Sequence, residues 1–96
     1  MPAYLISDAT IHDQTLMDDY AKKARPTVVA HGGKVHAAGG AIDHREGPWK
    51  PKRLVVIEFP TMAAAKAWYD SPEYQAILPM RLKASSGSLL FVDGVS

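Results

Sequence analysis

The stretch RLVVIEF, residues 53–59, constrains the fold most, because it is the clearest strand in the chain. Its centre, LVVI, is an uninterrupted apolar run, and LLFV at residues 89–92 is another. A strand with one wet face alternates apolar and polar residues, whereas a continuous apolar run is typical of a strand buried on both faces. The sequence therefore predicts a sheet that needs a cover on each face.

The amino-terminal third of the chain predicts a strand followed by a helix. Residues 3–11, AYLISDATI, favour a strand, and Asp13 is suited to cap the helix that follows. Apolar residues then recur every four positions from Leu16 to Val28, as on the buried stripe of a helix. Pro26 lies within this stripe and lacks a backbone donor, so we expect a kink or a break there.

The rest of the chain predicts three strands and two helical segments. The strands are KVHAAGGAI, RLVVIEF and SLLFVDG, at residues 34–42, 53–59 and 88–94. DHREGPWKPK, between the first two of these, is predicted to be a loop because of its glycine and prolines. Thr61 is suited to cap the helix MAAAKAWYD, and Ser71 followed by Pro72 predicts a further helical segment up to about Lys83.

The order β-α-β-β-α-β predicts a single α+β domain over residues 1–96 with a ferredoxin-like fold. Right-handed crossovers would place both helices on one face of a four-stranded antiparallel sheet. The other face then needs a cover, and the commonest cover is a second copy related by a two-fold axis. We therefore expect a homodimer packed sheet to sheet; the alternative is that valine and leucine side chains stay exposed on that face.

Composition excludes several classes of function. The chain has no cysteine, so it can form no disulfide, zinc-thiolate site or thiol nucleophile. Its 11 Lys and Arg and 10 Asp and Glu residues are scattered and leave a formal charge of +1, without the basic patch that nucleic-acid binding needs. No apolar run approaches the length of a membrane span and the start does not resemble a leader, so we expect a soluble, cytoplasmic protein that binds neither nucleic acid nor membrane.

The decapeptide that begins at His31, HGGKVHAAGG, contains two glycine pairs and two histidines. Glycine-rich phosphate loops follow a strand and open a helix, whereas Gly32 and Gly33 follow a helix and open a strand. We interpret Gly32 as the left-handed residue that ends the helix after His31. Gly39 and Gly40 inside the second strand predict a bulge or the close approach of a backbone or ligand.

The four histidines do not predict a metal site. None of them forms the HxH or HxxxH spacing that places two imidazoles on one face of a strand or helix. No metal and no other cofactor is therefore predicted from these residues.

Glu58 is the most informative titratable residue, because it lies in the strand predicted to be buried on both faces. A buried carboxylate needs a partner or shifts its pKa upward. A hairpin centred near Gly47 places position 58 opposite position 36, so His36 is the predicted partner, although a slip of one residue would send the two side chains to opposite faces.

Two interpretations of this pair stay open. His36 and Glu58 could form a general acid–base pair in a cleft between the sheet and the helices, with a ligand held by Tyr20, Trp68, Tyr74 and Arg81. Alternatively, Glu58 forms a structural ion pair with His36 or Arg53. Trp49, in the loop, is predicted to pack against the dimer partner rather than to form a lid over the cleft.

Several segments together resemble one known family. These are HGGKVHAAGG, EGPWKPKRLVVIEFP, AWYDSPEYQ, Arg81 and the final VDG, and in this order they resemble the DUF1330 family of small bacterial proteins of undetermined function. The resemblance covers nearly the whole chain. It implies the dimeric α+β barrel superfamily, in which ferredoxin-like protomers join through their sheets.

Other branches of that superfamily suggest two functions. They include cofactor-independent monooxygenases, muconolactone isomerase-like enzymes, stress-responsive proteins and haem proteins, so the resemblance leaves haem ligation by His31 or His36 open. The first hypothesis is a small-molecule binding or stress-associated protein. The second is a cofactor-independent monooxygenase or isomerase that acts on a small aromatic or carbonyl compound. A fold shared this widely does not itself select one chemistry.

Overall fold

The computed structural model describes residues 1–95, which form one four-stranded antiparallel sheet and three helices. The elements are β1 Ala3–Ile11, α1 Gln14–Ala30, β2 Lys34–Ala38, β3 Leu54–Phe59, α2 Met62–Asp70, α3 Pro72–Ala84 and β4 Ser85–Asp93. The strand order is β2-β3-β1-β4, with every neighbouring pair antiparallel. This is the predicted ferredoxin-like arrangement, so the fold class is confirmed. None of these helices combines the length and apolar character needed to cross a bilayer.

Side-chain caps set the helix boundaries, as the sequence predicts. The Asp13 carboxylate accepts a hydrogen bond from the Leu16 amide, and the Thr61 hydroxyl accepts one from the Ala64 amide. Ser71 ends α2 and caps α3, because its hydroxyl accepts from the Tyr74 amide. These bonds satisfy amides that have no partner within the helix.

The predicted break in α1 does not occur, because α1 runs without interruption through Pro26 to Ala30. Proline removes only the one bond that its own amide would have made to the carbonyl four residues before it. Ala24 and Val28, on either side, are buried and keep the helix packed on the sheet. The helix ends as predicted at Gly32, which adopts φ +80 and so reaches a region that favours glycine.

The second strand is shorter than predicted. It ends at Ala38, so Gly39 and Gly40 lie outside it and the predicted glycine bulge is wrong. The physical reason is the backbone of Gly39, whose φ of +79 is incompatible with an extended strand. A β-bulge does occur, but at His36, between the pairs Val35–Ile57 and Ala37–Val56.

The two faces of the sheet differ in what covers them. Side chains alternate along each strand, and Leu5, Ile57 and Phe59 point to the helices, where they form the core with Val28, Ala65, Trp68 and Tyr74. The opposite side, which we call the open face, is not covered by a helix of residues 1–95. It presents Tyr4, Ile6, Leu54, Val56, Glu58, Leu90 and Val92.

Gly87 offers a direct test of the packing between β1 and β4. Its φ is +149, and a Cβ at this position would overlap the backbone carbonyl oxygen of Asp8. Because a backbone atom cannot move aside as a side chain can, Gly87→Ala should lower the free energy of unfolding by about 2 kcal/mol or more. Urea denaturation measures this loss.

Gly40→Ala is the matched control. A Cβ at Gly40 would meet no atom within 4 Å, so this change should alter the free energy of unfolding by less than about 0.5 kcal/mol. Equal stabilities of the two variants would contradict the close approach of Gly87 to Asp8.

Candidate functional site

A cavity of about 110 Å³ lies between the sheet and the helices. Its apolar wall includes side chains from all four strands and from α1, among them Leu5, Met17, Val28, Val35, Val55, Ile57 and Leu89. Its polar groups are fewer, and they are Ser7, Tyr20, Arg25, Arg53, Arg81 and Ser85. An apolar concavity with a few converging polar groups is the usual form of a small-molecule site.

An aromatic cluster lies beside this cavity, and two of its members, Tyr20 and Trp68, line it. The rings of Trp68 and Tyr74 pack with their centroids 4.1 Å apart, and Phe59 of the sheet lies 5.5 Å from Trp68. Tyr20 of α1 meets Tyr74 edge to face. The structure therefore brings Tyr20, Trp68 and Tyr74 together, and Arg81 reaches the same cluster from α3.

A chain of hydrogen bonds runs from Arg81 to the cavity. The Arg81 Nε donates to the Tyr74 hydroxyl at 3.2 Å, and the hydroxyls of Tyr74 and Tyr20 lie 2.8 Å apart. Tyr74 is fully buried, so its own hydrogen must also find an acceptor, and the Tyr20 oxygen is in place to accept it. The Tyr20 hydrogen is then free to donate into the cavity that this residue lines.

The ionisation of Tyr20 agrees with a role as a donor. Burial raises the pKa of the Tyr20 phenol far above its usual value. A raised pKa favours the protonated phenol. Tyr20 is therefore neutral at physiological pH and presents an O–H group rather than a base.

Trp68 contributes a surface but no free polar group. Its indole Nε1 donates to the Thr27 hydroxyl at 2.9 Å, and that hydroxyl donates to the Ala24 carbonyl at 2.6 Å. Both donors are thus used inside the protein. What remains for a ligand is the apolar face of the indole ring.

His36 and Glu58 do contact each other, with His36 Nε2 2.8 Å from Glu58 Oε1. Their side chains are 48% and 32% exposed, so Glu58 is not buried as predicted. The predicted register is also wrong, because Lys34 is opposite Glu58 and the β-bulge at His36 allows the imidazole to reach the carboxylate.

The pair lies outside the cavity. Ile57 and Phe59 face the helices, so Glu58 between them faces the opposite way, on the open face. The predicted convergence of the pair with Tyr20 and its neighbours therefore does not occur. Arg53 lies an odd number of residues from Glu58, so its side chain points to the other face of the sheet and lines the cavity. The alternative ion pair between Arg53 and Glu58 therefore does not form either.

Sequence reasoning missed two arginines of the cavity, Arg25 and Arg53. Arg25 follows Lys22 and Lys23 in the sequence, a run typical of a solvated face, but Ala21, Ala24 and Arg25 lie on one side of α1 and all line the cavity. Strand alternation could have found Arg53, because it lies two residues before Val55 and therefore points to the same face of the sheet as Val55 and Ile57.

Two other expectations concern Trp49 and metal ions. Trp49 is 59% exposed, and its indole Nε1 donates to the Asp8 carboxylate at 3.1 Å. It does not line the cavity, so the structure gives no support for a lid. Among residues 1–95, no group of three or more histidine or acidic side chains is placed to hold a metal ion.

Tyr74→Phe tests the hydrogen-bond chain. The change leaves the Arg81 Nε without its acceptor and the Tyr20 oxygen without its donor, so the free energy of unfolding should fall by about 1–3 kcal/mol. Tyr4→Phe is the control, because Tyr4 lies on the open face away from this chain, and it should change stability by less than about 0.5 kcal/mol. Urea denaturation compares the two, and equal losses would contradict the chain.

Solved structures of the same fold include proteins with and without a described activity. A protein of unknown function from Rhodopseudomonas palustris has a TM-score of 0.79 and 17% identity, with 99% of this chain and 83% of that chain covered. SnoaB, a cofactor-independent oxygenase from Streptomyces nogalater, has a TM-score of 0.71 and 10% identity, with coverages of 99% and 94%. These likenesses show a shared fold.

A third solved structure is described as dimeric. It is a protein of unknown function with a ferredoxin-like fold from Bacteroides fragilis NCTC 9343, with a TM-score of 0.60, 10% identity and coverages of 97% and 95%. No curated protein matches the chain. The sequence model of a domain of unknown function, DUF1330, matches residues 2–95. Since this match spans nearly the whole chain, the protein belongs to the DUF1330 family.

Proposed function

We propose that this protein binds a small organic compound with an apolar ring in the cavity between its sheet and its helices. The observation that carries the proposal is an apolar cavity of about 110 Å³ that Tyr20 lines. An engineered apolar cavity of roughly 150 Å³ binds benzene. The cavity of this protein is somewhat smaller and has polar groups in its wall, so it suits a single ring that carries a hydrogen-bond acceptor.

Binding is favoured over acid–base catalysis by the residues of the cavity wall. Within the described residues, none of the side chains that line it belongs to an aspartate, glutamate or histidine. The raised pKa keeps Tyr20 protonated, and the His36–Glu58 pair is on the other side of the sheet. A general base must lie within hydrogen-bonding reach of the proton it removes, and the wall supplies none at neutral pH.

The second candidate is a cofactor-independent oxygenase or isomerase that acts on a small aromatic or carbonyl compound. One observation favours it: a Tyr20 O–H polarised through Tyr74 and Arg81 would stabilise negative charge that develops on a carbonyl oxygen. SnoaB is described as having the first of these activities. Under this alternative, turnover of such a compound, measured for an oxygenase as oxygen consumption, would be lost in Tyr20→Phe.

Filling the cavity tests the binding function. Toluene should bind the unmodified protein with one molecule per chain in isothermal titration calorimetry. Ala24 is buried and lines the cavity, so Ala24→Leu should occupy the space of the ring and abolish measurable binding. Ala63→Leu, on the exposed side of α2, should leave binding unchanged.

Circular dichroism establishes that both variants are folded before binding is compared. Toluene that binds the folded Ala24→Leu variant as tightly as the unmodified protein would contradict the proposal, as would a lack of binding to the unmodified protein.

We also infer that two copies of the chain pack through their open faces. In the middle of this face Val56, Ile6 and Leu90 form one continuous row across three strands. Leu90 is 51% exposed, and apolar surface of this kind gains free energy when it is removed from water. A two-fold axis would pair such a face with itself, and the dimeric protein from Bacteroides fragilis supports this arrangement.

A charge in the middle of the open face should prevent this association. Leu90→Lys should shift the protein from dimer to monomer in sedimentation velocity at micromolar concentration, because pairing would bury two unpaired ammonium groups. Val29→Lys is the matched control, since Val29 is 64% exposed on α1, on the helix side of the sheet, and this variant should remain dimeric. A monomeric unmodified protein, or equal behaviour of both variants, would contradict the dimer.

A further inference from the structure

We propose that the compound held in the cavity is an anion, with an apolar ring inside and a carboxylate or similar charged oxygen at the rim. This inference rests on the proposed binding function. It comes from three arginines, Arg25, Arg53 and Arg81, whose side chains line the same cavity.

The arginines reach the cavity from three different elements. Arg25 belongs to α1, Arg53 immediately precedes β3, and Arg81 belongs to α3. The fold therefore brings the three arginines together, since they do not lie on one charged face of a single helix or strand. A guanidinium keeps its positive charge at any physiological pH, so three positive charges gather around one apolar space.

Nothing in the described part of the chain neutralises these charges. No carboxylate lines the cavity, and the three ion pairs of residues 1–95 join Lys23 to Asp19, His36 to Glu58 and Arg45 to Asp43. Charges of one sign around an apolar cavity strengthen the electrostatic potential inside the cavity. The cavity therefore attracts anions and repels cations.

Two of the arginines are half-buried, and Arg81 is held by a hydrogen bond before any ligand arrives. Arg53 is half-buried, and its Nε lies so close to Gly39 that a Cβ built there would be only 3.0 Å away. Arg81 is also half-buried and donates its Nε to Tyr74, which fixes the guanidinium while its terminal N–H groups remain available. Donors positioned in advance lose little conformational entropy on binding.

The arrangement also gives the anion an orientation. The ring is accommodated by the apolar wall, where Leu5, Val28 and Ile57 lie, and the arginines define the polar side. The Tyr20 hydroxyl adds a neutral hydrogen-bond donor for a ligand oxygen that lies between the apolar wall and the arginines. A simple inorganic anion would satisfy the arginines but would leave the apolar part empty.

Benzoate and benzamide provide the test, because they have nearly the same shape and differ in charge. Isothermal titration calorimetry at pH 7 should show that benzoate binds at least about tenfold more tightly than benzamide, since hydrogen bonds to charged groups are the stronger ones. The preference should shrink as potassium chloride is raised, because salt screens the charges at the open rim.

Charge-removing variants locate the effect. Arg25→Gln and Arg53→Gln should each weaken benzoate binding by about three- to tenfold and weaken benzamide binding by less, so the preference for benzoate falls. Arg45→Gln is the control, because Arg45 pairs with Asp43 at 3.0 Å outside the cavity, and it should bind benzoate as the unmodified protein does. Arg81 is left intact, since its loss would also disturb Tyr74.

The outcomes separate this inference from the function on which it rests. Toluene binding together with equal affinities for benzoate and benzamide would overturn the anion inference alone, as would an unchanged benzoate affinity in folded Arg25→Gln and Arg53→Gln variants. A lack of toluene binding to the unmodified protein overturns the proposed binding function and, with it, this inference, which rests on that function.

Discussion

The site depends on how Ser71 joins α2 to α3. Its hydroxyl donates to the Trp68 carbonyl and caps the next helix by accepting from the Tyr74 amide, so one side chain fixes the spacing of two aromatic residues. The two rings pack closely at a tilt of 39°, and Trp68 packs on Phe59, which closes the core against the sheet. Truncating a buried aromatic residue of this kind typically costs about 3–5 kcal/mol, which is a large part of the stability of a small domain.

The same joint also orients the polar part of the site. Tyr74 is held from both ends, by the Ser71 cap at its backbone and by Arg81 at its hydroxyl. Because the Tyr74 oxygen accepts from Arg81 and Tyr74 is fully buried, we assign the Tyr74 hydrogen to the Tyr20 oxygen, which leaves the Tyr20 hydrogen for the cavity. The hydrophobic core and the hydrogen-bond donor are thus products of one packing arrangement, and a ligand would meet a donor that needs no rearrangement.

Local signals predicted most of the fold. Asp13, Thr61 and the Ser71–Pro72 pair mark helix starts through bonds that span only a few residues, and the structure confirms all of them. The continuous runs LVVI and LLFV predicted strands in the correct places. These signals come from residues that are close together in the sequence. They predict the folded structure correctly because the caps and the strand alternation do not depend on distant partners.

The candidate site was predicted only in part, because its geometry depends on relations across strands. Tyr20, Trp68, Tyr74 and Arg81 meet, as expected for the predicted cleft. His36 and Glu58 touch, but strand alternation places Glu58 on the opposite face, because Ile57 and Phe59 face the helices. The register of β2 also differs from the prediction, and no local pattern near His36 reveals its bulge.

The two tryptophans of the chain occupy contrasting surroundings, which gives the molecule two separate optical reporters. Trp68 is 2% exposed and lies in the wall of the cavity, whereas Trp49 is 59% exposed and is hydrogen-bonded to Asp8 of β1. Iodide in solution reaches an exposed indole and is kept from a buried one. The fluorescence that iodide quenches therefore reports on the loop around Trp49. The fluorescence that iodide does not quench reports on Trp68, in the core beside the cavity.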